Sequence, residues 1–191
     1  MSAWRAAAVP ASGLRIAWTP WDAAIETVAT LRWDNEAWTV ECALGAHDVQ
    51  LVLRLGADWR LQQCLLFRDM PTPDLWLGTD GRGRWGEVNG SLRPELAGCE
   101  LVEVAGSPFH HAVAVRGAAP GLLAVGDETI VRTARVDVET LGVQVRERRY
   151  RRTRADAWSW TSATTGREVE VCVDGYGVAL DEPGAWRRVS G

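Results

Sequence analysis

Lysine is absent from this sequence, because all 21 basic residues are arginine. The chain therefore lacks the side chain used for Schiff-base chemistry and the lysine of a phosphate-binding loop. It also has no glycine-rich phosphate loop, no HExxH helix and no GxSxG turn, which are the common signatures of nucleotide enzymes, zinc proteases and α/β-hydrolases. The motifs alone name no catalytic residue.

Long apolar runs are also missing. Residues 1–13 hold one arginine and a short Ala/Val/Pro run, too short and too interrupted for a signal peptide or a membrane span. The net charge of -4 and the pI near 5.4 argue against a general affinity for nucleic acid or anionic membranes. We therefore expect a cytoplasmic protein without a nucleic-acid partner and without stable membrane insertion.

Cysteine is scarce, and the four copies form no CxxC pair. They are Cys42, Cys64, Cys99 and Cys172, and no histidine pair lies near any of them in sequence. In a reducing compartment this pattern favours free thiols embedded in strands over disulfides or a zinc site. We expect no metal and no cofactor.

What the sequence does contain is the alternation of apolar and polar residues that is typical of half-buried strands. At 191 residues and 47% apolar content, it fits one domain over residues 1–191, with residues 1–13 as a candidate for poor order. The alternating sets are Trp38, Val40, Cys42 and Leu44, then Leu51, Leu53 and Leu55, then Trp59, Leu61, Gln63, Leu65 and Phe67. Turn formers between such runs predict an antiparallel meander, barrel or sandwich.

Two short segments indicate helix starts. Thr19-Pro20-Trp21-Asp22 has a threonine cap, a proline at the first helical position and an aspartate three residues after the cap. Ser107-Pro108-Phe109 is the second candidate, and it is equally typical of a turn. At most one or two short helices are predicted.

The adjacent histidines His110 and His111 are the candidates for acid–base chemistry. Neighbouring residues on an extended chain point to opposite faces, so this pair is poorly placed to hold one metal ion. A hydrogen-bonded structural role is favoured.

A basic run, residues 146–154, contains six arginines and Tyr150. Cross-strand ion pairing, for instance with Glu168 and Glu170, is the favoured interpretation. A face that lines a cavity would instead suit a phosphate, carboxylate or sugar group. RNA binding is a third interpretation, weakened by the acidic net charge.

Tryptophan is over-represented, with 11 copies against 2 Phe and 2 Tyr. Each indole combines a large apolar surface with an N–H donor, which suits a core and a lipid or sugar site alike. Trp158 and Trp160 share one strand face under the alternation. The excess favours a pocket.

Several segments, taken in order over residues 25–189, resemble the bacterial family named putative glycolipid-binding, formerly a domain of unknown function. They are Asp80-Gly-Arg-Gly-Arg-Trp85, Leu96-Ala-Gly-Cys-Glu100, Ser107-Pro-Phe109, Val115-Arg116, Arg149-Tyr150, Val173-Asp174, Gly177-Val178 and Pro183-Gly-Ala-Trp-Arg-Arg-Val189. The family's Thr-Asn after Pro-Phe appears here as His110-His111, and its aromatic pair near the end appears as Trp158 and Trp160. The resemblance implies a half-barrel, a single curved antiparallel sheet similar to the carriers of bacterial lipoproteins.

The tryptophan excess and the strand pattern, taken together with the resemblance, favour a non-catalytic protein that binds an amphiphilic small molecule, a lipid or glycolipid, in a concave apolar groove. The expected ligand-binding residues are Trp85, Arg116, Tyr150, Trp158, Trp160, His110 and His111, with Arg116 and Tyr150 at the mouth and the three tryptophans as walls. An alternative is an enzyme that acts on a small amphiphile with His110 or His111 as base. Another is a protein-interaction module with an exposed tryptophan patch. The oligomeric state stays open.

Overall fold

A computed structural model describes residues 5–45, 47–69, 71–161 and 166–191. Within them the chain forms strands β1 (Leu14–Pro20), β2 (Thr27–Asp34), β3 (Ala37–Leu44), β4 (Val49–Leu55), β5 (Leu61–Phe67), β6 (Leu75–Thr79), β7 (Trp85–Glu87), β8 (Leu101–Val104), β9 (Glu128–Val136), β10 (Val143–Arg154), β11 (Ala157–Thr161), β12 (Glu168–Cys172) and β13 (Trp186–Ser190). Helix α1 spans His110–Gly117, and short 3-10 helices cover Pro94–Leu96 and Ala119–Leu122.

The strands form two sheets. An eight-stranded sheet has the order β13-β1-β2-β3-β4-β5-β6-β7, and a curled five-stranded sheet has the order β12-β11-β10-β9-β8. The larger sheet is an antiparallel meander to which β13 returns from the end of the chain and pairs with β1. The expected mainly β half-barrel architecture is confirmed.

The structure adds two features to that expectation. The strands divide between two sheets instead of forming one, and β8 pairs with β9 in parallel. The parallel pairing has a cause in the sequence order, because α1 lies between β8 and β9. A helix between two paired strands allows the chain to return to the starting end of the sheet, which makes the pair parallel.

Helix α1 is buried on every side. Its residues His110 to Val115 are all buried, without the exposed stripe of a surface helix. A helix buried all round lies within a core, not on its surface. The inside of the half-barrel is thus filled by α1 and by the aromatic side chains around it.

The alternation predicted from Trp59 to Phe67 is wrong in its register. The buried residues of β5 are Leu61, Cys64 and Leu66, whereas Leu65 is only partly buried. The register with β4 shifts between Arg54 and Leu55, where a β-bulge inserts an extra residue. An extra residue moves every later side chain to the opposite face.

The helix start predicted at Thr19-Pro20-Trp21-Asp22 is also wrong. Thr19 and Pro20 are the last residues of β1, and Pro20 lies opposite Trp186 of β13. The Thr19 hydroxyl donates to the carbonyl of Ala23 at 2.7 Å. It therefore satisfies a carbonyl and does not cap the backbone N–H groups of a helix.

The first residues of the described chain run along the protein body. The Ala7 N–H donates to the carbonyl of Gly175 at 2.7 Å, and Arg116 Nη1 donates to the carbonyl of Ala7 at 3.1 Å. Residues 1–4 of the segment expected to be poorly ordered lie outside the described residues.

Candidate functional site

The two adjacent histidines point into the same region of the interior. Both follow the turn at Ser107, and α1 begins at His110. Their ring centroids are 4.1 Å apart, and each contacts Trp160, at 5.0 Å for His110 and 4.4 Å for His111. The expectation that they face opposite ways is wrong, because it assumed an extended chain. On a helix, neighbouring residues differ by only about 100° in direction.

His111 lies beside a buried carboxylate. Its Nε2 is 3.1 Å from Oε2 of Glu182, and the two side chains are only 3% and 2% exposed. Glu182 is fixed by a tight turn in which its N–H donates to the carbonyl of Trp186 at 2.8 Å. The pair thus joins α1 to the segment between β12 and β13.

Tyr150 and Trp160 complete this group, with ring centroids 5.9 Å apart. We call His110, His111, Tyr150, Trp160 and Glu182 the interior cluster. Tyr150, expected at the mouth of a groove, is only 2% exposed and lies inside. The members come from α1, β10, β11 and the turn before β13.

A small cavity lies against the interior cluster. Its volume is about 10 Å³, and it is lined by His111, Val115, Tyr150, Trp158, Trp160, Val171 and Val173. That space is at the lower limit for one water molecule. An acyl chain therefore enters only if part of this wall moves.

Burial keeps two groups of the interior cluster, His110 and Tyr150, neutral. Burial, together with the neighbouring His111, lowers the pKa of His110 to about 4. Burial also raises the pKa of Tyr150 far above its usual range, with a further contribution from the negative charge of Glu103. At neutral pH the ring of His110 and the phenol of Tyr150 are both uncharged.

Two polar atoms of the interior cluster have no hydrogen-bond partner among the described residues, namely Nε2 of His110 and Nε1 of Trp160. Nδ1 of His110 lies 2.9 Å from the carbonyl of Ser107 and must donate to it, since a carbonyl only accepts. In the neutral ring Nε2 is then an acceptor, whereas Trp160 Nε1 is a donor. One acceptor and one donor together match the needs of a hydroxyl group or a water.

One arginine of the basic run pairs with a buried carboxylate. Arg148 Nε donates to Glu103 at 2.9 Å, and Arg135 Nε lies 3.6 Å from the same carboxylate. The side chain of Glu103 is only 4% exposed. The arginines on β9 and β10 thus neutralise a carboxylate buried on β8.

Other arginines of the run have structural roles too. Arg152 is buried and donates to the carbonyls of Leu123 at 2.7 Å and Ala155 at 2.6 Å. Arg154 pairs with Glu170 at 2.8 Å, as the cross-strand interpretation predicted. Next to this region, Trp158 Nε1 donates to the carbonyl of Pro120 at 3.0 Å.

Arg116 lies at the other end of α1, beside a second cavity. This Arg116 cavity has a volume of about 260 Å³ and is lined by Arg5, Ala6, Ala57, Asp58, Trp59, Val115, Arg116 and Gly121. The guanidinium carbon of Arg116 stacks 3.9 Å from the centre of the Trp59 ring. Val115 lines both this cavity and the small interior one. Arg116 is thus at the outer end of the helix that carries the histidines.

Trp85 is separate from both places. It is 3% exposed, and its Nε1 donates to the carbonyl of Cys99 at 3.1 Å. It lines a cavity of about 280 Å³ together with Arg60, Leu61, Thr79, Gly81, Gly83, Gly98, Cys99, Glu100 and Gly117. Of the predicted site residues, the structure brings together Tyr150, Trp158, Trp160, His110 and His111, but not Trp85 or Arg116.

The remaining tryptophans show no common pattern. Trp21 and Trp33 are 49% and 46% exposed, while Trp18 is fully buried with its Nε1 donating to the carbonyl of Ala179 at 3.0 Å.

Within the described residues, no group of three or more His, Cys, Asp or Glu side chains is arranged to hold a metal ion. Nor does any helix in the described parts of the chain have the length and apolar character needed to span a bilayer.

Sequence reasoning missed Glu103, Glu182 and Trp59 as neighbours of these sites. Glu103 is the one charged residue of the apolar strand Leu101–Val104, and a lone carboxylate in a buried run is a signal for a paired charge. Glu182 precedes Pro183-Gly184, which is typical of an exposed turn and hides its burial. Trp59 carried no distinguishing signal.

Comparison with known proteins gives a family and a fold. The family model described as "Putative glycolipid-binding" matches residues 16–188. A solved structure, that of a DUF1089 family protein from Pseudomonas aeruginosa, superposes with a TM-score of 0.67 at 21% sequence identity and covers 99% of each chain. No curated protein matches the sequence.

Proposed function

Because the chain belongs to the putative glycolipid-binding family, we propose that it is a non-catalytic protein that binds an amphiphile, a lipid or glycolipid, inside its half-barrel. The apolar part of the ligand enters between α1 and strands β10 to β12, where Trp158, Trp160 and Val171 form the wall. A hydroxyl of the ligand meets Nε2 of His110 and Nε1 of Trp160.

The observation that carries the proposal is the pair of unpaired polar atoms in the interior cluster. His110 is 8% exposed and Trp160 is 2% exposed. Buried polar atoms are nearly always hydrogen-bonded, so two unpaired ones on neighbouring aromatic rings call for a ligand or a bound water. Both belong to the set of residues that the sequence singled out for ligand binding.

The closed cavity sets a condition on binding. A volume of about 10 Å³ does not hold an alkyl tail, so the bound state differs from this one in the position of α1 or of the surrounding strands. The ligand then has to bind the open state better than the closed state. We expect binding to change the intrinsic fluorescence of the tryptophans around the cluster.

The test has two parts. Native mass spectrometry and organic extraction of gently purified protein reveal a carried lipid, and a panel of single-chain lipids and glycolipids is titrated against tryptophan fluorescence. Trp160→Phe keeps an aromatic ring and removes the Nε1 donor, so we expect affinity to fall about 3- to 10-fold, the usual effect of one neutral hydrogen bond. Trp33→Phe, at an exposed site on β2, is the matched control and should leave affinity unchanged.

An apo mass together with no response to any member of the panel contradicts the proposal. Equal affinities for the wild type and Trp160→Phe contradict the assigned position of the ligand. In that case the amphiphile binds at another place in the protein. Both results are read only after circular dichroism shows that each variant is folded.

The arrangement of His111 and Glu182 favours a second candidate function, an enzyme that acts on a small amphiphile. The carboxylate of Glu182 lies 3.1 Å from Nε2 of His111 and orients its imidazole. Many hydrolases orient the histidine that acts as their general base in this way. Incubation with ester and glycoside amphiphiles distinguishes the two functions. Product formation that His111→Gln abolishes establishes the enzyme, whereas ligand binding without turnover supports the carrier.

A further inference from the structure

Among the residues that the structure describes, the guanidinium of Arg116 forms no ion pair, and its contacts are with neutral groups. Its Nη1 donates to the carbonyl of Tyr176 at 2.6 Å and to that of Ala7 at 3.1 Å. Its Nε is buried and has no hydrogen-bond partner among the described residues. The face of the guanidinium lies on the indole of Trp59. Every one of these neighbours is neutral.

The carboxylate of Asp174, which acts on Arg116 from a distance, is already paired with Arg188. Asp174 attracts the charge of Arg116, but its Oδ2 lies 2.6 Å from Nη1 of Arg188. The side chain of Arg116 is partly buried, and this loss of water lowers the pKa of its guanidinium. A partly buried cation with no carboxylate in direct contact is costly unless a ligand supplies the charge.

A second arginine lines the same cavity. Arg5 is exposed at its rim, and the one carboxylate in the lining, Asp58, lies 3.5 Å from Nε of Arg60 outside it. The cavity therefore has a positive balance of charge. Guanidinium groups recognise planar and tetrahedral oxyanions through paired N–H donors.

Trp59 forms a rigid floor for this cavity. It has a φ of 65°, in the left-handed region that bulky residues rarely adopt. Its ring is only 4% exposed and stacks on Phe109, with centroids 6.5 Å apart. Such a backbone conformation persists only where the surroundings impose it, so the indole under Arg116 is fixed in position.

We propose that the Arg116 cavity binds an anionic oxygen group, a carboxylate or a phosphate, between Arg5 and Arg116 and above the Trp59 indole. The volume of about 260 Å³ is sufficient for either group. Since Val115 lines this cavity and the interior one, an amphiphile with its tail inside would place its anionic head here. That last step rests on the proposed function, whereas the anion site itself does not.

Titration with inorganic phosphate and with acetate, followed by NMR of the tryptophan and arginine side-chain N–H groups, tests the site directly. We expect the Trp59 and Arg116 signals to shift in a saturable way. The affinity for the anion should fall as salt is added, because salt screens the attraction between the charges. Arg116→Gln should lower the affinity about tenfold or more, and Arg5→Gln severalfold, because a charge-assisted hydrogen bond is worth more than a neutral one. Arg82→Gln, on an exposed loop, is the matched control and should have no effect.

Folding is controlled separately, because Arg116 also ties Ala7 and Tyr176 to α1. Arg5→Gln removes a charge from an exposed position and keeps the test valid if Arg116→Gln does not fold. No saturable shift with either anion in the wild type, or equal affinities for Arg5→Gln and Arg82→Gln, overturns the anion site.

A second titration separates the headgroup from a free anion. Dodecyl phosphate is compared with inorganic phosphate and with dodecyl maltoside, which has the same tail and no charge. An anionic amphiphile is supported if dodecyl phosphate binds more tightly than both inorganic phosphate and dodecyl maltoside. The difference in affinity between dodecyl phosphate and dodecyl maltoside should then disappear in Arg116→Gln. Equal binding of dodecyl phosphate and inorganic phosphate retains the anion site and contradicts the proposed function. Equal binding of both detergents, unaffected by Arg116→Gln, retains amphiphile binding and contradicts the placement of an anionic head in the Arg116 cavity.

Discussion

At the scale of single residues, the pair His110-His111 shows how helical geometry changes the chemistry of a dipeptide. On a strand the two rings would be separated by the sheet, but on α1 they lie 4.1 Å apart and both meet Trp160. Their second partners differ. His110 bonds to the carbonyl of Ser107, and His111 lies beside the carboxylate of Glu182. Adjacent histidines therefore have different environments, one neutral and one paired with an acidic group.

The buried state of His110 makes stability depend on pH. Its pKa is about 4 in the folded protein and about 6.5 when exposed, so between these values only the unfolded chain binds the proton. The free energy of unfolding should therefore fall as the pH is lowered from 6.5 towards 4, with a full extent on the order of 3 kcal/mol. Above pH 6.5 the contribution is constant.

Urea unfolding at a series of pH values measures this effect. His110→Asn should be less stable than the wild type at pH 7, yet lose less stability between pH 6.5 and 4. His47→Asn removes an exposed histidine and should keep the pH dependence of the wild type. If His110→Asn and the wild type lose stability in parallel over this range, His110 is not held neutral by burial.

At the scale of secondary-structure elements, alternation predicted β3 and β4 well and failed at β5. Val40, Cys42 and Leu44 are buried as expected, because both neighbouring strands pair with β3 in an unbroken register. At β5 the bulge opposite Leu55 reverses the faces, and nothing in the local composition announces it. Long-range pairing decides where an extra residue is placed, so a single sequence does not locate it.

The site was predicted in part for a similar reason. Alternation placed Trp158 and Trp160 on one face of what is now β11, and the cavity lining confirms that they lie together. The carboxylate of Glu182 belongs to a turn that lies 71 positions after His111 in the chain. No periodicity in sequence connects it to His111, because a turn contact depends on how the whole chain folds back. Its proximity was therefore beyond local pattern reasoning.

An ion pair between Glu103 and Arg148 joins strands β8 and β10 and is shielded from water. The ion pair that the next residue of β10, Arg149, forms with Glu128 is exposed. The side chains of Glu103 and Arg148 are 4% and 11% exposed, whereas those of Glu128 and Arg149 are 52% and 63% exposed. Removing one partner of a buried pair leaves an uncompensated charge. We expect Glu103→Gln to lower the free energy of unfolding by about 3 kcal/mol.

Denaturant unfolding of a double-mutant cycle checks this expectation. Adding Arg148→Met to Glu103→Gln removes the stranded charge and should cost less than the sum of the two single changes. Glu128→Gln is the exposed control and should change stability by less than about 1 kcal/mol. Additive effects of Glu103→Gln and Arg148→Met would mean that the buried pair is not coupled.

At the scale of the whole molecule, the half-barrel differs from an open carrier because its interior is occupied by its own helix. Six consecutive residues of α1 are buried, and the remaining cavity near the interior cluster measures about 10 Å³. Under the proposed function, the apolar part of the ligand enters only when α1 or the strands around it open. The closed state is therefore the reference from which ligand binding has to be measured.

The four thiols report how often that opening occurs. Burial raises the pKa of Cys42 and Cys64 to about 12 and also raises that of Cys99, whereas Cys172 is partly exposed beside Arg154. Only a thiolate in contact with solvent reacts, so a disulfide reagent at pH 8 should modify Cys172 rapidly and the other three only as the fold opens.

Cys172→Ser should remove the rapid phase, and unfolding in denaturant should expose all the remaining thiols. An amphiphile that holds the molecule open should accelerate the slow phase. Rapid reaction of a second thiol in Cys172→Ser without ligand would show that the interior is already open.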